Sequence, residues 1–186
     1  MINITQPLRH LSIWLTMMSL SACTLIDKPV TVVKPFELNQ YLGTWYEIAR
    51  LDHSFERNMS HVTAQYTLQG SKVVVTNRGF KQDEQQWDEA NGKAYFIDGS
   101  DQGLLKVSFF GPFYGAYQIH DVIQAPNGQY TDALVIGPNA QYAWILSRTA
   151  VINSNTKQGF INKLSALGIN TNNLIWVDQG ALKDDR

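Results

Sequence analysis

Tyr41-Leu-Gly-Thr-Trp-Tyr-Glu-Ile-Ala-Arg50 opens the folded part of this chain with a glycine, then a run dense in aromatic and branched side chains. No 3.6-residue period runs through it, and Thr44–Leu51 reads as a β-strand. Side chains of a strand point to opposite faces in turn. With Trp45 inward, Glu47 and Ala49 share its face, and Tyr46 and Ile48 take the other.

The same reading continues downstream. β-like runs occupy His61–Leu68, Lys72–Gly79, Gly92–Ile97, Leu104–Phe110, Tyr114–Gln124, Ala133–Gly137 and Tyr142–Arg148. Turn signals separate them: Gln69-Gly-Ser71, Asp98-Gly-Ser-Asp-Gln-Gly103, Gly111-Pro112 and Ala125-Pro-Asn-Gly128. Eight punctuated runs with no helix between them predict an all-β fold, either an antiparallel sandwich or an up-and-down barrel. One helical period follows, over Ser154–Leu167, where Phe160, Ile161, Leu164 and Leu167 fall on one face. Ser154, Asn155 or Thr156 supplies a cap and Gly168 a stop. Asn173–Val177 then reads as a last short strand.

The first 22 residues are an address. Arg9 and His10 precede Leu11–Leu20, a short apolar run, and small residues close it at Ser21 and Ala22. That is the layout of a secretory signal peptide, and the run is too short to span a bilayer, which takes ~20 residues. Residues 23–35 contain two prolines and no helical period. They read as an extended tether that becomes ordered near Phe36. The domain plan is therefore a leader over 1–22, a tether over 23–35, a folded body over 36–180 and a tail over 181–186.

Composition narrows the functional classes. Fifteen basic residues balance sixteen acidic ones, so no charge stripe favours nucleic acid. Cys23 is the single cysteine, which rules out an intrachain disulfide and a cysteine-based metal cluster. Five tryptophans and 44% apolar residues leave material for a large core or an apolar cavity lining. His53, His61 and His120 stand in separate runs without metal-ligand spacing, and neither a G-x-S-x-G elbow nor a P-loop occurs. No catalytic residue, metal or cofactor is expected. Asp52-His53 and Glu56-Arg57 read as a solvated charged loop after the first strand.

Two sets of residues carry a resemblance. Leu20-Ser-Ala-Cys23 resembles the bacterial lipobox, which implies a diacylglycerol on the Cys23 thiol, cleavage before Cys23 and an acyl chain on the new amino terminus. Thr24 in place of Asp implies delivery to the outer membrane, with the body in the periplasm. Gly43-x-Trp45 at the first strand, with Arg148 ending the eighth just before the helix, resembles the lipocalin family. Thr131-Asp132 is similar to a third motif of that family. Tyr41–Arg57, Lys106–Tyr117, Ala143–Thr149 and Ile175-Trp-Val177 look like its bacterial outer-membrane members in particular.

The resemblance implies an eight-stranded antiparallel up-and-down barrel with one C-terminal helix and a short final strand. It implies that Arg148 covers Trp45 at the closed end, with Gly43 allowing close approach. It also implies a hollow interior for a fatty acid or lysophospholipid. Strand phase and the resemblance together nominate Glu47, Ala49, Ala64, Tyr66, Val75, Asn77, Phe96, Leu105, Val107, Phe109, Tyr117, Trp144 and Leu146 as lining. Glu47 either pairs with a polar neighbour or meets a ligand head group. The aromatic turn Phe109–Gly115 is either a mouth contact for membrane or partner, or an inward plug. A homodimer stays open. The competing functions are a filled barrel acting as an envelope adaptor and, further off, a lipid-modifying enzyme.

Overall fold

The computed structural model describes residues 26–181; the leader, Cys23 and the last five residues of the tail lie outside the described residues. Eight antiparallel strands form the wall: β1 (Gly43–Arg50), β2 (Met59–Gln69), β3 (Lys72–Lys81), β4 (Gln86–Phe96), β5 (Leu104–Ser108), β6 (Gly115–Gln124), β7 (Tyr130–Ile136) and β8 (Ala143–Ser147). Each pairs with the next, and β1 closes the barrel by pairing β2 through Gly43–Tyr46 and β8 through Tyr46–Arg50. Closure leaves no unpaired edge around the ring. A two-residue β9 (Ile175–Trp176) adds outside β1. The short helix α1 (Leu38–Tyr41) precedes the barrel, and α2 (Ser154–Ala166) packs on its flank.

Two apolar clusters divide along the wall. Phe36, Tyr41, Trp45, Tyr66, Val73, Val75, Leu105, Ile119, Val135 and Leu146 point inside. Ile48, Leu134, Ile136, Ile145, Phe160 and Leu164 lie between wall and helix. Burial of each large apolar side chain contributes ~1.5–3 kcal/mol, which fixes α2 despite its short length.

The ends of the barrel differ. Loops 51–58, 82–85, 109–114 and 137–142 gather at one end, the mouth. The helix α1 and the turns after β2, β4 and β6 gather at the other, the floor.

Four expectations need correction. Residues 27–36 are no free tether: Asp27 and Lys28 donate their amides to the Pro138 carbonyl, Val33 to Ile119, and Phe36 to Asp101. This strap crosses the outside of the barrel from mouth to floor. The fourth strand starts at Gln86 instead of Gly92, because β3 and β4 continue past the core as a paired hairpin. Phe80 and Trp87 meet edge-on at 5.6 Å on its outer face, and Arg78 lies 4.0 Å over the indole. The helix is capped by Asn153, whose side chain accepts from the Asn155 amide. The final strand is confined to Ile175–Trp176, because Thr171–Asn173 turns as a short 3-10 helix.

Candidate ligand-binding site

The floor is an aromatic seal. Arg148 places its guanidinium 3.8 Å from the centre of the Trp45 ring. The same guanidinium donates to the carbonyls of Thr44 (2.7 Å), Leu42 (2.8 Å), Gln40 (3.0 Å) and Tyr130 (3.2 Å). One side chain thus closes the end of α1, the start of β1 and the start of β7. Gly43 has φ +96°, a backbone conformation that favours glycine, while a Cβ there would only reach ordinary contact with the guanidinium at 3.4 Å. Trp45 donates its indole N–H to the Tyr41 carbonyl at 2.8 Å. Above it, the Tyr117 hydroxyl meets those of Tyr41 (2.8 Å) and Tyr66 (2.7 Å). Burial pushes all three phenols above their ordinary range, so they stay neutral hydrogen-bonding groups.

The chamber wall rises from this floor. Ala64, Tyr66, Val75, Phe96, Leu105, Val107, Phe109, Tyr117, Trp144 and Leu146 join one interior cluster, as the strand phase predicts. Tyr66, Val75, Leu105 and Leu146 are buried; Ala64, Phe96, Val107, Phe109, Tyr117 and Trp144 are only partly buried. Asn77 follows Val73 and Val75 in phase, and its Oδ1 is buried without a hydrogen-bond partner.

Ala49 is the residue the phase misplaces. β1 shifts register between Glu47 and Ala49, so Glu47 pairs with Leu146, Ala49 with Ile145 and Arg50 with Trp144. The bulge adds one residue to β1 and inverts its alternation. Ala49 therefore packs in the outer cluster against the helix, and Arg50 takes its place on the inner face.

Arg50 organises a buried charged group toward the mouth. Its guanidinium meets the Glu47 carboxylate at 2.8 Å and donates to the backbone carbonyls of Glu56 (2.5 Å) and Met59 (3.2 Å). Trp144 donates its indole N–H to the Glu56 carboxyl at 3.2 Å. Burial raises Glu47 well above the usual carboxyl range; the nearby Glu56 adds to this and Arg50 opposes it. Burial likewise raises Glu56, against the Trp144 hydrogen bond. Glu47 is thus committed to a protein partner.

The loop after β1 is correspondingly mixed. Asp52 and Arg57 pair in solvent at 2.5 Å, as a solvated rim requires. His53 and Glu56 are instead buried. His53 stacks on Tyr142 at 4.8 Å and on Phe55 at 5.2 Å, and burial lowers its pKa to about 4. Alternation gives no hint of Arg50, His53 or Glu56 because the bulge and the turn after it break the period.

Two clefts of about 260 Å³ lie outside the chamber, one at the mouth rim between Arg57, Gln82 and Trp176, the other beneath the floor by Phe36, Leu38 and Asp101. Among the described residues no cluster of His, Cys, Asp and Glu is placed to hold a metal ion.

Comparison with known proteins fits this geometry. A lipocalin-like domain family matches residues 36–179. The outer membrane lipoprotein Blc of Vibrio cholerae is 47% identical over 161 residues, covering 86% of this chain and 92% of that protein. Its namesake in Escherichia coli K12 is 45% identical, with 85% and 89% covered. In fold, insecticyanin from the tobacco hornworm Manduca sexta superposes with a TM-score of 0.64 at 23% identity, over 81% of this chain and 85% of that one. The chain belongs to the lipocalin family, a family of binding proteins, and within it to the outer-membrane lipoproteins.

Proposed function

We propose that this lipocalin holds one alkyl chain, of a fatty acid or lysophospholipid, inside its barrel and stores or carries it in the periplasm. The carrying observation is that the inner face keeps partly accessible apolar side chains. Ala64, Phe96 and Tyr117 near the floor and Val107, Phe109 and Trp144 toward the mouth all face inward, yet none of them is fully buried. Space therefore reaches apolar side chains that an eight-stranded ring can leave unfilled. Each methylene transferred from water to such a wall contributes ~0.8 kcal/mol, offset in part by the cost of immobilising the chain.

The polar end of the ligand points to the mouth, because Arg148 and Trp45 close the floor and the three tyrosine hydroxyls there already meet one another. Glu47 supports the site by holding Arg50 and does not recognise an amine.

Ala64→Phe tests the reading. The lipidated protein is titrated with a fluorescent fatty acid, and the variant is expected to lose at least tenfold in affinity with an unchanged circular dichroism spectrum. Unsaturable binding by the wild type, with no lipid in its solvent extract, overturns the proposal. Crosslinked envelope proteins in that same preparation would then favour the adaptor.

A further inference from the structure

The strap brings the chain into the barrel at the mouth. Asp27 and Lys28 both donate to the carbonyl of Pro138, in loop 137–142, and the Lys28 ammonium reaches the Leu167 carbonyl at the neighbouring end of α2. From there the strap descends β6, with Val30 bound by the Gln118 side chain, the Thr31 carbonyl at His120 and Val33 between Ile119 and Gly103. Four Cα steps separate Asp27 from Cys23, which span at most roughly 15 Å. The barrel is longer than that. β3 has 10 residues, and ten residues of strand at ~3.3 Å rise and a tilt of about 40° cover roughly 25 Å along the axis. Cys23 cannot reach the floor end while the strap is docked.

The mouth also carries the molecule's exposed aromatic pair. Phe110 and Phe113, on loop 109–114, are 77% and 78% exposed, and Phe55 on loop 51–58 is 54% exposed. Gly111 and Pro112 between the pair leave no core-forming side chain to draw the loop inward. At the floor end Val151 is comparably exposed, but it is aliphatic, and Leu68 and Ile123 there are only 44% and 38% exposed. Trp87 and Trp176, also partly exposed, are each covered by a cation, Arg78 and Lys157.

We propose that the barrel rests mouth-down on a phospholipid bilayer, with Phe55, Phe110 and Phe113 seated at the boundary between head groups and acyl chains. This rests on the reading that Cys23 carries the acyl anchor. The short reach from Cys23 to Asp27 holds the mouth against the leaflet, and the phenyl rings supply the apolar contact that interfacial segments use. The aromatic turn is therefore a membrane contact and not a plug. A lipid passes from leaflet to chamber without crossing open water.

The test uses the full acylated chain in vesicles of phosphatidylethanolamine and phosphatidylglycerol. The Cys23 thiol is consumed by the anchor, so an introduced cysteine is the only free thiol. A nitroxide is placed at Gly111→Cys, where a Cβ meets nothing within 4 Å, or at the exposed Ser71→Cys beside the floor. The label at 111 is expected to be at least threefold less accessible than that at 71 to an aqueous paramagnetic reagent. Adding Phe110→Asp and Phe113→Asp should return it to water. Equal accessibility at 111 and 71 in an anchored chain overturns the orientation alone. A chain that fails to sediment with vesicles overturns the anchor reading, and the orientation with it. Spin–spin coupling between 111 labels that persists in detergent would assign the loop to a second copy and overturn the bilayer contact.

Discussion

Arg148 shows how much a single side chain can hold when its shape is right. A planar guanidinium can lie on an indole face and still donate at its rim to four carbonyls, which an ammonium cannot do. Arg148→Lys should therefore cost about 2 kcal/mol, lowering the melting temperature by roughly 4–8 °C in a domain of this size. A superimposable thermal melt would remove the stack from the account of stability. His53 makes the opposite point, since its burial is a liability in acid. Its folded pKa, about 4, lies below the ordinary 6.5. Its contribution to stability is thus complete above pH 6.5 and lost as pH falls toward 4. His53→Phe keeps the stack with Phe55 and Tyr142, and urea midpoints should show a shallower loss of stability between pH 6.5 and 4.5. Glu47 and Glu56 act with the reverse sign, their raised values contributing at low pH and fading as pH rises.

Among elements, β1 is the one whose geometry the chain decides twice. Its first half obeys simple alternation from Gly43 to Glu47, and its second half obeys the bulge. The bulge lets one strand present Trp45 and Glu47 inward, then Arg50 inward, while Ile48 and Ala49 both face the helix side. Ala49→Leu should overpack that outer contact by about 1–3 kcal/mol, seen as an earlier urea midpoint, while fatty-acid affinity stays at the wild-type value. A loss of affinity with no loss of stability would return Ala49 to the chamber. The β3–β4 hairpin is the other element that alternation missed. Beyond Gly79 and before Gly92 its strands have no core to face, so no inward apolar alternation marks them, while Phe80 and Trp87 secure the pairing from outside.

For the whole molecule, the strap fixes the end of the barrel at which the chain enters, and the proposed anchor on Cys23 bears on location. Cys23→Ser is expected to release the protein into the soluble periplasmic fraction on spheroplast fractionation, with the barrel still folded, since the strap from Asp27 onward keeps its own hydrogen bonds to the barrel. A variant that still sediments with outer membrane would show that another segment holds it there. The strap's hydrogen bonds belong to the barrel, so residues 27–36 are part of the folded body.

Local chemistry determined what the sequence could state alone: strand propensity and turn residues set the number of strands, period 3.6 set the helix, and the glycine, tryptophan and arginine of the signature set the floor. Most of the interior followed too, because period-two alternation needs only one inward residue as reference. Tertiary structure decided what local rules cannot count. The extra residue at the β1 bulge matters only when β8 is beside it, and it moved Arg50 inward and Ala49 out. Burial of His53 and Glu56 required the loop to fold over Trp144, and the direction of the strap required β6 and Pro138 to be in place. Each of these depends on contacts between residues far apart in the chain, where no short pattern carries the information.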